Sequence, residues 1–537
     1  MRGLGCTIIR WVRMSGVIMV GAVVLVQEES RMERGLLVGA AAAVAVVLAA
    51  ATAGPTATAS GSGVDSGGGQ RAREAPAVIL VVMDDMRTDD LPWMPTVRRE
   101  IARAGTRLTR FYAPTPLCCP SRASLLRGQY PHNSGILTNA EPDGGFAGFS
   151  ALEDSTLATW LDPTHTTGYV GKYMNGYDGP RQTHVPKGWD FWNGTTQTYN
   201  YKKVFINQNG TIVDHSGVNS PTVLGRRASR FINETAPQPK PFFLQLSFVT
   251  PHKGWPHTDD DHGWDSPWVP PRDRGTYTGP RHPQGPAYNE QDVSDKTGPV
   301  ASLPPLSRKD KRKVALRTQQ RRESLASADR AVRRVLRTLH AYRQRSNTFV
   351  LFTSDNGMLL GEHRFATGKS QPYEPTARVP LLIDGPGVPA GNVWSAPAGM
   401  QDLAPTVLEM AGVSADTVDV ELDGRSVLPT VRRPDGDQAR AVLVEQADLP
   451  VDREDGGEVR YAAPRTVGET DWVYHAAVTR RWKLIEWDRL GTYELYHLRS
   501  DPHEVHNLAY RPKYQGKLEG MVQRLEQLRS CVGAGCG

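Results

Sequence analysis

Two apolar runs that each end in oxygen-bearing side chains constrain the fold of this chain more than any other feature. Residues 78–83 are apolar and mostly β-branched, and the pair Asp84–Asp85 follows them. Residues 348–353 repeat this pattern shortly before Asp355–Asn356. Apolar runs of this length are typical of strands buried in a parallel sheet. Because ligands bind at the carboxyl ends of such strands, we expect these polar side chains to meet at one edge of a sheet.

The side chains at these two strand ends offer only hard ligand atoms. They are Asp84, Asp85, Asp355 and Asn356, which carry carboxylate and amide oxygens. Such donors suit Ca²⁺ or Mg²⁺ rather than zinc or copper. A lone Asp-Asp pair is more often a solvated strand end, but two such ends in one chain favour a ligand site. The sequence therefore predicts a hard divalent cation here, with Ca²⁺ favoured over Mg²⁺.

A cysteine-bearing loop lies between the two runs, at residues 116–128. It places Cys118 and Cys119 beside Pro120 and Arg122, in a chain with only 5 cysteines. Two small buried hydrophobic side chains are one interpretation of the cysteine pair. The spelling Cys-x-Pro-Ser-Arg, however, is the signature of the type I, formylglycine-dependent sulfatases, and the chain resembles that family. The resemblance implies that a formylglycine-generating enzyme oxidises Cys118 to formylglycine (3-oxoalanine).

The resemblance covers roughly residues 77–536 and carries further site residues. Gly171–Tyr173 is similar to the family's Gly-Lys-Trp/Tyr element, and Thr250–His252 is similar to its Pro-His element. Residues 361–380 are similar to the block that supplies a second sulfate lysine. The resemblance implies that Asp84, Asp85, Asp355, Asn356 and formylglycine 118 bind the cation, that Lys172, His252 and Lys369 contact the sulfate ester, that Arg122 orients the aldehyde hydrate, and that His252 or Lys369 protonates the leaving alcohol.

Some positions differ from those of the best-known family members, and these differences restrict the class of substrate that the resemblance implies. Arg127 stands where many members have threonine, and Asn175 stands where the best-known arylsulfatases have histidine. We expect Asn175 to take over that substrate-binding role. The spelling Lys172–Asn175, the doubled cysteine and Tyr288–Lys296 resemble the N-acetylglucosamine-6-sulfatases and the extracellular heparan 6-O-sulfatases. The resemblance thus implies a sulfated carbohydrate as substrate, cleaved at its 6-O-sulfate.

Three other functions stay open at this point. They are an arylsulfatase acting on a small sulfate ester, a phosphoester or phosphonate hydrolase on the same fold, and a binding-only protein. Hydrolases of this fold that use serine or threonine are disfavoured, because Cys118 takes the nucleophile position. A binding-only protein is disfavoured because all the expected cation ligands and both expected lysines are present.

The pattern of apolar segments predicts an α/β fold. Strands alternate with helical stretches from residue 78 to about 386, as in a doubly wound domain. The family resemblance refines this to the alkaline-phosphatase-like fold, a large mixed sheet between helical layers. A helix is expected over Arg321–His340, with its arginines mostly on the face opposite its apolar residues. A smaller C-terminal antiparallel sheet is expected at residues 474–478, 482–487 and 494–498, closed by a helix at 513–530.

The domain boundaries follow from these segments and from the N-terminal composition. We expect an export segment at residues 1–53, a flexible Gly/Ser/Thr-rich lead-in at 54–76, a catalytic domain at 77–433 and a C-terminal subdomain at 434–537. Residues 36–53 are almost entirely apolar and end in Ala51-Thr52-Ala53, which has the form of a cleavage site. Met32 is favoured as the true start, and a membrane anchor is the alternative, because residues 17–26 form a second apolar stretch.

Charge and cysteine usage indicate the compartment and the partners. The net charge of +6 and the isoelectric point near 9.0 are mildly basic and favour an anionic substrate. The cluster Arg308–Lys313 is more typical of a solvated surface than of a polyanion site. No basic patch interleaved with aromatic residues occurs, so no nucleic-acid partner is expected. Cys531 and Cys536 are predicted to form a disulfide, which indicates a secreted or extracytoplasmic protein.

Overall fold

The computed structural model describes residues 75–177, 182–257, 266–433, 440–447 and 472–536. The predicted export segment and nearly all of the lead-in lie outside the described residues. Within the described ranges, no helix is both long enough and apolar enough to cross a bilayer.

A large sheet of mixed strand direction forms the centre of the fold. Its neighbouring strands run in the order β10-β2-β9-β8-β1-β7-β3-β4-β5-β6, and β11 pairs with β2. The strands are β1 Ala77–Met83, β2 Thr106–Tyr112, β3 Thr166–Gly171, β4 Phe191–Thr195, β5 Phe205–Gln208, β6 Thr211–Asp214, β7 Phe242–Ser247, β8 Thr348–Ser354, β9 Arg378–Asp384, β10 Asn392–Trp394 and β11 Ala398–Gly399. The central strands β8, β1, β7, β3 and β4 are parallel, whereas β9 runs antiparallel to both of its neighbours.

Helices cover both faces of this sheet. They are α1 Pro95–Val97, α2 Cys118–Arg127, α3 Pro131–Ser134, α4 Gly145–Ser150, α5 Leu157–Leu161, α6 Ser220–Thr235, α7 Arg308–Ala341, α8 Glu374–Ala377, α9 Leu403–Ala411, α10 Leu428–Arg432 and α11 Gln515–Arg529. Val78, Leu80 and Val82 of β1 share one core with α2, α5 and α9. Ile79 and Val81 share another core with α6 and α7. Because successive side chains of a strand point to opposite faces, an apolar strand can be buried on both sides.

The long helix α7 differs from its prediction in two ways. It begins at Arg308 rather than near residue 321, because Ser307 and Asp310 form a capping box at its start. Its predicted apolar residues are buried as expected. Arg321 and Arg322 are buried as well, which corrects the expectation that the arginines lie on a solvated face. Their guanidinium groups bond to polar groups below the helix, among them Asp90.

A second, antiparallel sheet of four strands lies near the C-terminus. Its strands are β12 Val442–Ala447, β13 Trp472–Val478, β14 Trp482–Trp487 and β15 Thr492–His497. One face of this sheet packs against α11, and the other shares a core with Tyr112 and Tyr373 of the large domain. The predicted strands and closing helix are confirmed to within two residues at each end. After α11, Cys531 and Cys536 are joined by a disulfide of 2.01 Å.

Candidate active site

The predicted cation ligands lie together at the carboxyl ends of β1 and β8. The two strands pair in parallel, with Met83 opposite Ser354, so the residues that follow them emerge side by side. The side-chain amide of Asn356 donates to Asp85 Oδ1 over 2.6 Å. The backbone amide of Asp85 donates to Asp355 Oδ1 over 3.2 Å. Asp84, Asp85, Asp355 and Asn356 are all fully buried.

The start of α2 presents Cys118 to this group of oxygens. Cys118 is the first residue of the helix, directly after the extended Leu117, and its Sγ lies 3.6 Å from Asp84 Oδ1. One turn later, Arg122 Nε donates to Asp355 Oδ2 over 2.8 Å. The helix ends at Gly128, whose φ of 68° is the left-handed conformation that glycine adopts without strain.

Two lysines approach Cys118 and the carboxylates from other elements. Lys172 follows β3, and its Nζ lies 2.6 Å from Asp84 Oδ2. Lys369 lies on the segment between β8 and β9, and its Nζ is 3.1 Å from both Asp85 Oδ1 and Cys118 Sγ. Both lysines are buried. Two ammonium groups therefore border residue 118, and each is held by one aspartate.

His252 completes the group from the loop after β7. Its Nε2 lies 3.7 Å from Asp85 Oδ2, and its Nδ1 donates to the backbone oxygen of Lys253 over 2.7 Å. The side chain is buried. The ends of β1, β3, β7 and β8 thus each supply at least one predicted site residue, as expected for the carboxyl edge of a parallel sheet.

Burial and the neighbouring charges shift the pKa values of these groups in opposite directions. Burial opposes ionisation of Asp84 and Asp85, but the nearby ammonium groups outweigh it and lower both pKa values. Burial and the charge of Asp84 raise the pKa of Asp355 to about 6. Burial also raises the pKa of the Cys118 thiol. A neutral thiol is a poor nucleophile, so unmodified Cys118 is not activated by this environment.

The residues fit a hard divalent cation. Asp84, Asp85 and His252 place ligand atoms within 4.8 Å of one another, and so do Asp84, Cys118 and Asp355. Asp85 Oδ2 and Asn356 Oδ1 are buried and have no hydrogen-bond partner within the described ranges, which is costly unless another electropositive group contacts them. The donors are mainly oxygens, as Ca²⁺ and Mg²⁺ prefer.

Asn175 lies beside the second cysteine rather than the first. Its backbone amide donates to Cys119 Sγ over 3.1 Å, and Cys119 donates its own amide to Asn139 Oδ1 over 2.8 Å. The side-chain oxygen of Asn175 is buried and has no hydrogen-bond partner among the described residues. The substrate-binding role of Asn175 stays a prediction.

Two residues at the site carried no signal in the sequence. The ring centres of Tyr199 and His252 are 4.7 Å apart, and Lys172 Nζ lies 5.1 Å from the ring centre of Tyr199. Arg321 of α7 donates to the backbone oxygens of Pro251 and Asp85. Both residues are distant in sequence from the groups that they contact, so only a motif that included them could have indicated their positions.

The comparisons with known proteins agree with this geometry. The Sulfatase family model matches residues 76–413. This chain belongs to the sulfatase family. An arylsulfatase of Volvox carteri is 30% identical over 505 residues, which span 87% of this sulfatase and 76% of the relative. The N-acetylglucosamine-6-sulfatase of Capra hircus is 27% identical over 506 residues, which span 87% of this sulfatase and 86% of the relative.

The fold is shared with solved structures. The structure of BT4656 in complex with its substrate D-glucosamine-2-N,6-O-disulfate has a TM-score of 0.65 at 23% identity, and the match covers 85% of this sulfatase and 97% of that chain. The likeness supports the alkaline-phosphatase-like fold, and the family match makes the protein a sulfuric ester hydrolase. The predictions of family, fold and reaction class are confirmed.

Proposed function

We propose that this sulfatase hydrolyses the 6-O-sulfate of N-acetylglucosamine or of heparan-type glycans, with residue 118 acting as nucleophile in its formylglycine form. One observation carries the proposal: Cys118 Sγ lies 3.1 Å from Lys369 Nζ and 3.6 Å from Asp84 Oδ1. The side chain at 118 therefore sits between a positive charge that can hold a sulfate oxygen and a carboxylate that can hold a hydroxyl proton.

The chemistry of an aldehyde at residue 118 suits sulfate ester cleavage. Its hydrate carries two hydroxyl groups on one carbon. One hydroxyl passes its proton to the Asp84 carboxylate as its oxygen bonds to sulfur, the bond from sulfur to the sugar oxygen breaks, and the sugar oxygen takes up a proton. The second hydroxyl then loses its proton as the bond between carbon and the sulfate oxygen breaks, which releases sulfate and restores the aldehyde. Water adds to the aldehyde to regenerate the hydrate, whereas a thiol has no second hydroxyl for this cycle.

The charged side chains around residue 118 supply most of the stabilisation that the reaction needs. Lys172 and Lys369 are positioned to neutralise the sulfate oxygens as charge develops on them. Arg122 is held by Asp355, and its Nη1 also donates to the backbone oxygen of Lys172; from one turn after residue 118 on α2 its positive charge would orient the hydrate. A Ca²⁺ or Mg²⁺ ion held by Asp84, Asp85, Asp355 and Asn356 would add positive charge at the sulfate and lower the pKa of a neighbouring hydroxyl.

The proton for the leaving sugar oxygen can come from His252 or Lys369. His252 uses its Nδ1 proton in the bond to the Lys253 carbonyl, and its Nε2 faces Asp85. Lys369 carries its ammonium group directly beside residue 118. We therefore assign the general acid to Lys369 and a substrate contact to His252.

Two observations support the 6-O position: the sequences of the site segments, and the similarity of most of the chain to an N-acetylglucosamine-6-sulfatase. Lys172–Asn175 and Tyr288–Lys296 resemble N-acetylglucosamine-6-sulfatases, and a protein of that name aligns over most of both chains. A primary sulfate projects from the sugar ring and can enter a narrow pocket end-on. An arylsulfatase is the second candidate, because the Volvox carteri relative carries that name at 30% identity.

Steady-state kinetics with defined substrates tests this assignment. We expect kcat/KM for N-acetylglucosamine 6-sulfate to exceed the values for 2-O- and 3-O-sulfated sugars and for an aryl sulfate. Truncation of the sugar should lower kcat as well as affinity, because binding energy from the sugar positions the ester. A preference for the aryl sulfate would overturn the 6-O assignment and leave the sulfatase family standing.

We also propose export of the mature protein. The apolar residues 36–53 and the disulfide between Cys531 and Cys536 support a secreted or extracytoplasmic location, since disulfides persist in oxidising compartments. Maturation by a formylglycine-generating enzyme and the domain boundary between residues 433 and 434 are likewise predictions. Residues 434–439 lie outside the described residues.

A further inference from the structure

The first two turns of α7 carry a dense cluster of positive charge. We define the α7 basic cluster as Arg308, Lys309, Lys311 and Arg312, which are all exposed. Lys313 adds a fifth cation in the same segment. Within the described ranges, no carboxylate pairs with any member of the cluster. The cluster therefore presents its charge to solvent rather than to the protein.

The direction of α7 places this cluster on the same side of the molecule as the active site. Arg321 of α7 donates to the backbone of Pro251 and Asp85, at the carboxyl ends of the strands. Beyond the far end of the helix, the Gln344 backbone oxygen accepts from Thr348 Oγ1 at the start of β8. The helix thus runs antiparallel to β8. At 1.5 Å per residue, Lys309 lies about 18 Å beyond Arg321 along the axis, past the carboxyl ends of the strands.

Helix stability does not explain this arrangement. The N-terminus of a helix carries a partial positive charge, so cations in its first turns are unfavourable by a few tenths of a kcal/mol each, up to about 1 kcal/mol. The like charges in the cluster also repel one another. Ser307 and Asp310 offset part of this cost through the capping box. A polyanion bound across the cluster would remove both sources of repulsion.

We propose that the α7 basic cluster binds the sulfated glycan chain that continues from the sugar in the active site. This rests on the proposed function, because it takes the scissile sulfate to belong to such a chain. The cluster lies farther from the active site than a single sugar extends, so it contacts only oligomeric or polymeric substrates. Its charge attracts the polyanion and raises the rate of productive encounter. A sulfated monosaccharide does not reach the cluster and gains only weak long-range attraction, which salt screens.

A triple variant, Lys309→Gln, Lys311→Gln and Arg312→Gln, tests the proposal. We expect kcat/KM for a heparin-type dodecasaccharide to fall about tenfold at low ionic strength. The value for N-acetylglucosamine 6-sulfate should change less than twofold. The difference between the two substrates should shrink in high salt. An equal loss on both substrates, or no loss on the dodecasaccharide, would overturn the proposal.

The matched control neutralises the other end of the same helix. Arg334 and Arg337 of α7 and Arg343 just after it are exposed, and Arg334 lies about 20 Å from Arg321 in the opposite direction. Arg334→Gln, Arg337→Gln and Arg343→Gln therefore remove the same charge far from the active site. This control should keep wild-type kcat/KM on both substrates. If the control lost as much kcat/KM on the dodecasaccharide as the cluster variant does, the effect would be due to net charge alone, and the proposal would be overturned.

Binding measured without turnover separates this proposal from the proposed function. In a Cys118→Ala background, the cluster substitutions should weaken binding of the dodecasaccharide by a similar factor in calorimetry, whatever ester the enzyme cleaves. If the enzyme cleaved no 6-sulfated sugar but still bound the glycan through the cluster, only the 6-O assignment would be rejected. Tighter cluster-dependent binding of single-stranded DNA than of the glycan would overturn the choice of partner.

Discussion

The ammonium nitrogen of Lys483 lies 2.7 Å from Glu504 Oε1, and both side chains are fully buried in the C-terminal part of the fold. Lys483 also lies 2.8 Å from Glu374 Oε1 and donates to the Pro372 carbonyl over 3.0 Å. The backbone amide of Glu374 donates to Glu504 Oε2 over 2.7 Å. The segment that carries Lys369 is therefore anchored, a few residues later, to the C-terminal sheet.

Replacement of Lys483 by Met tests whether this anchor positions Lys369. We expect a loss of about 3–5 kcal/mol in the free energy of unfolding, because Glu374 and Glu504 lose their buried counter-charge. In the protein that stays folded at low temperature, kcat should fall more than KM rises, since the role proposed for Lys369 is to stabilise the transition state. Lys513→Met, at an exposed position, is the control. A folded Lys483→Met protein with wild-type kcat would show that the anchor is structural only.

The second prediction concerns the modified residue. When the chain is produced with a formylglycine-generating enzyme, peptide mass spectrometry should show the thiol-to-aldehyde mass loss at Cys118 and none at Cys119. Cys118 is the cysteine whose Sγ faces Asp84 and Lys369, whereas Cys119 Sγ accepts a bond from the Asn175 amide. Cys118→Ala should abolish turnover. An unmodified thiol at 118 in fully active enzyme would contradict the mechanism.

The third prediction concerns the cation. Ca²⁺ should raise the midpoint temperature of thermal unfolding of the wild type, because it binds only the folded state. At a Ca²⁺ concentration 100 times its Kd, the free energy of unfolding should rise by about 2.7 kcal/mol. Asp355→Ala should remove this stabilisation and the heat of Ca²⁺ binding in calorimetry. The exposed substitution Asp416→Asn should leave both unchanged. If Asp355→Ala bound Ca²⁺ as tightly as the wild type, the ligand assignment would be wrong.

The fourth prediction concerns the pH dependence of stability. Burial raises the pKa of Glu290 to about 7 from 4.5, although Lys296 Nζ lies 3.4 Å away and His363 Nδ1 lies 2.7 Å away. Between these two pH values the folded state holds a proton that the unfolded state has released. The free energy of unfolding therefore falls as the pH rises from about 4.5 to 7.

Substitution of Glu290 by Gln isolates this contribution. The difference in unfolding free energy between wild type and Glu290→Gln should change by about 3 kcal/mol across that pH range, with the wild type losing stability toward pH 8. Urea unfolding at several pH values measures the change. Glu519→Gln, at an exposed position, controls for loss of one charge. A difference that stays constant with pH would place the proton on another group.

The sequence by itself determined the elements whose signals are local. The apolar runs before Asp84 and Asp355 predicted two buried parallel strands, because a strand covered on both faces is apolar at nearly every position. The order of short motifs identified the family, and short strand-like segments predicted three of the four strands of the C-terminal sheet, whereas β12 was not predicted. Cys531 and Cys536 were close enough in sequence for their pairing to be read directly.

Only the tertiary structure decided which distant residues meet. Arg321 was predicted to be solvated, because helical periodicity separates charged from apolar residues and assigns the charged ones to solvent. In the structure its guanidinium group donates to the backbone oxygens of Pro251 and Asp85, which the periodicity of the helix could not indicate. Tyr199 approaches His252 from a separate loop, and Lys483 reaches Glu374 from another sheet. Such contacts depend on how layers of the fold pack, and a buried charge is tolerated only where packing brings it a partner. Local sequence patterns contain no record of that partner.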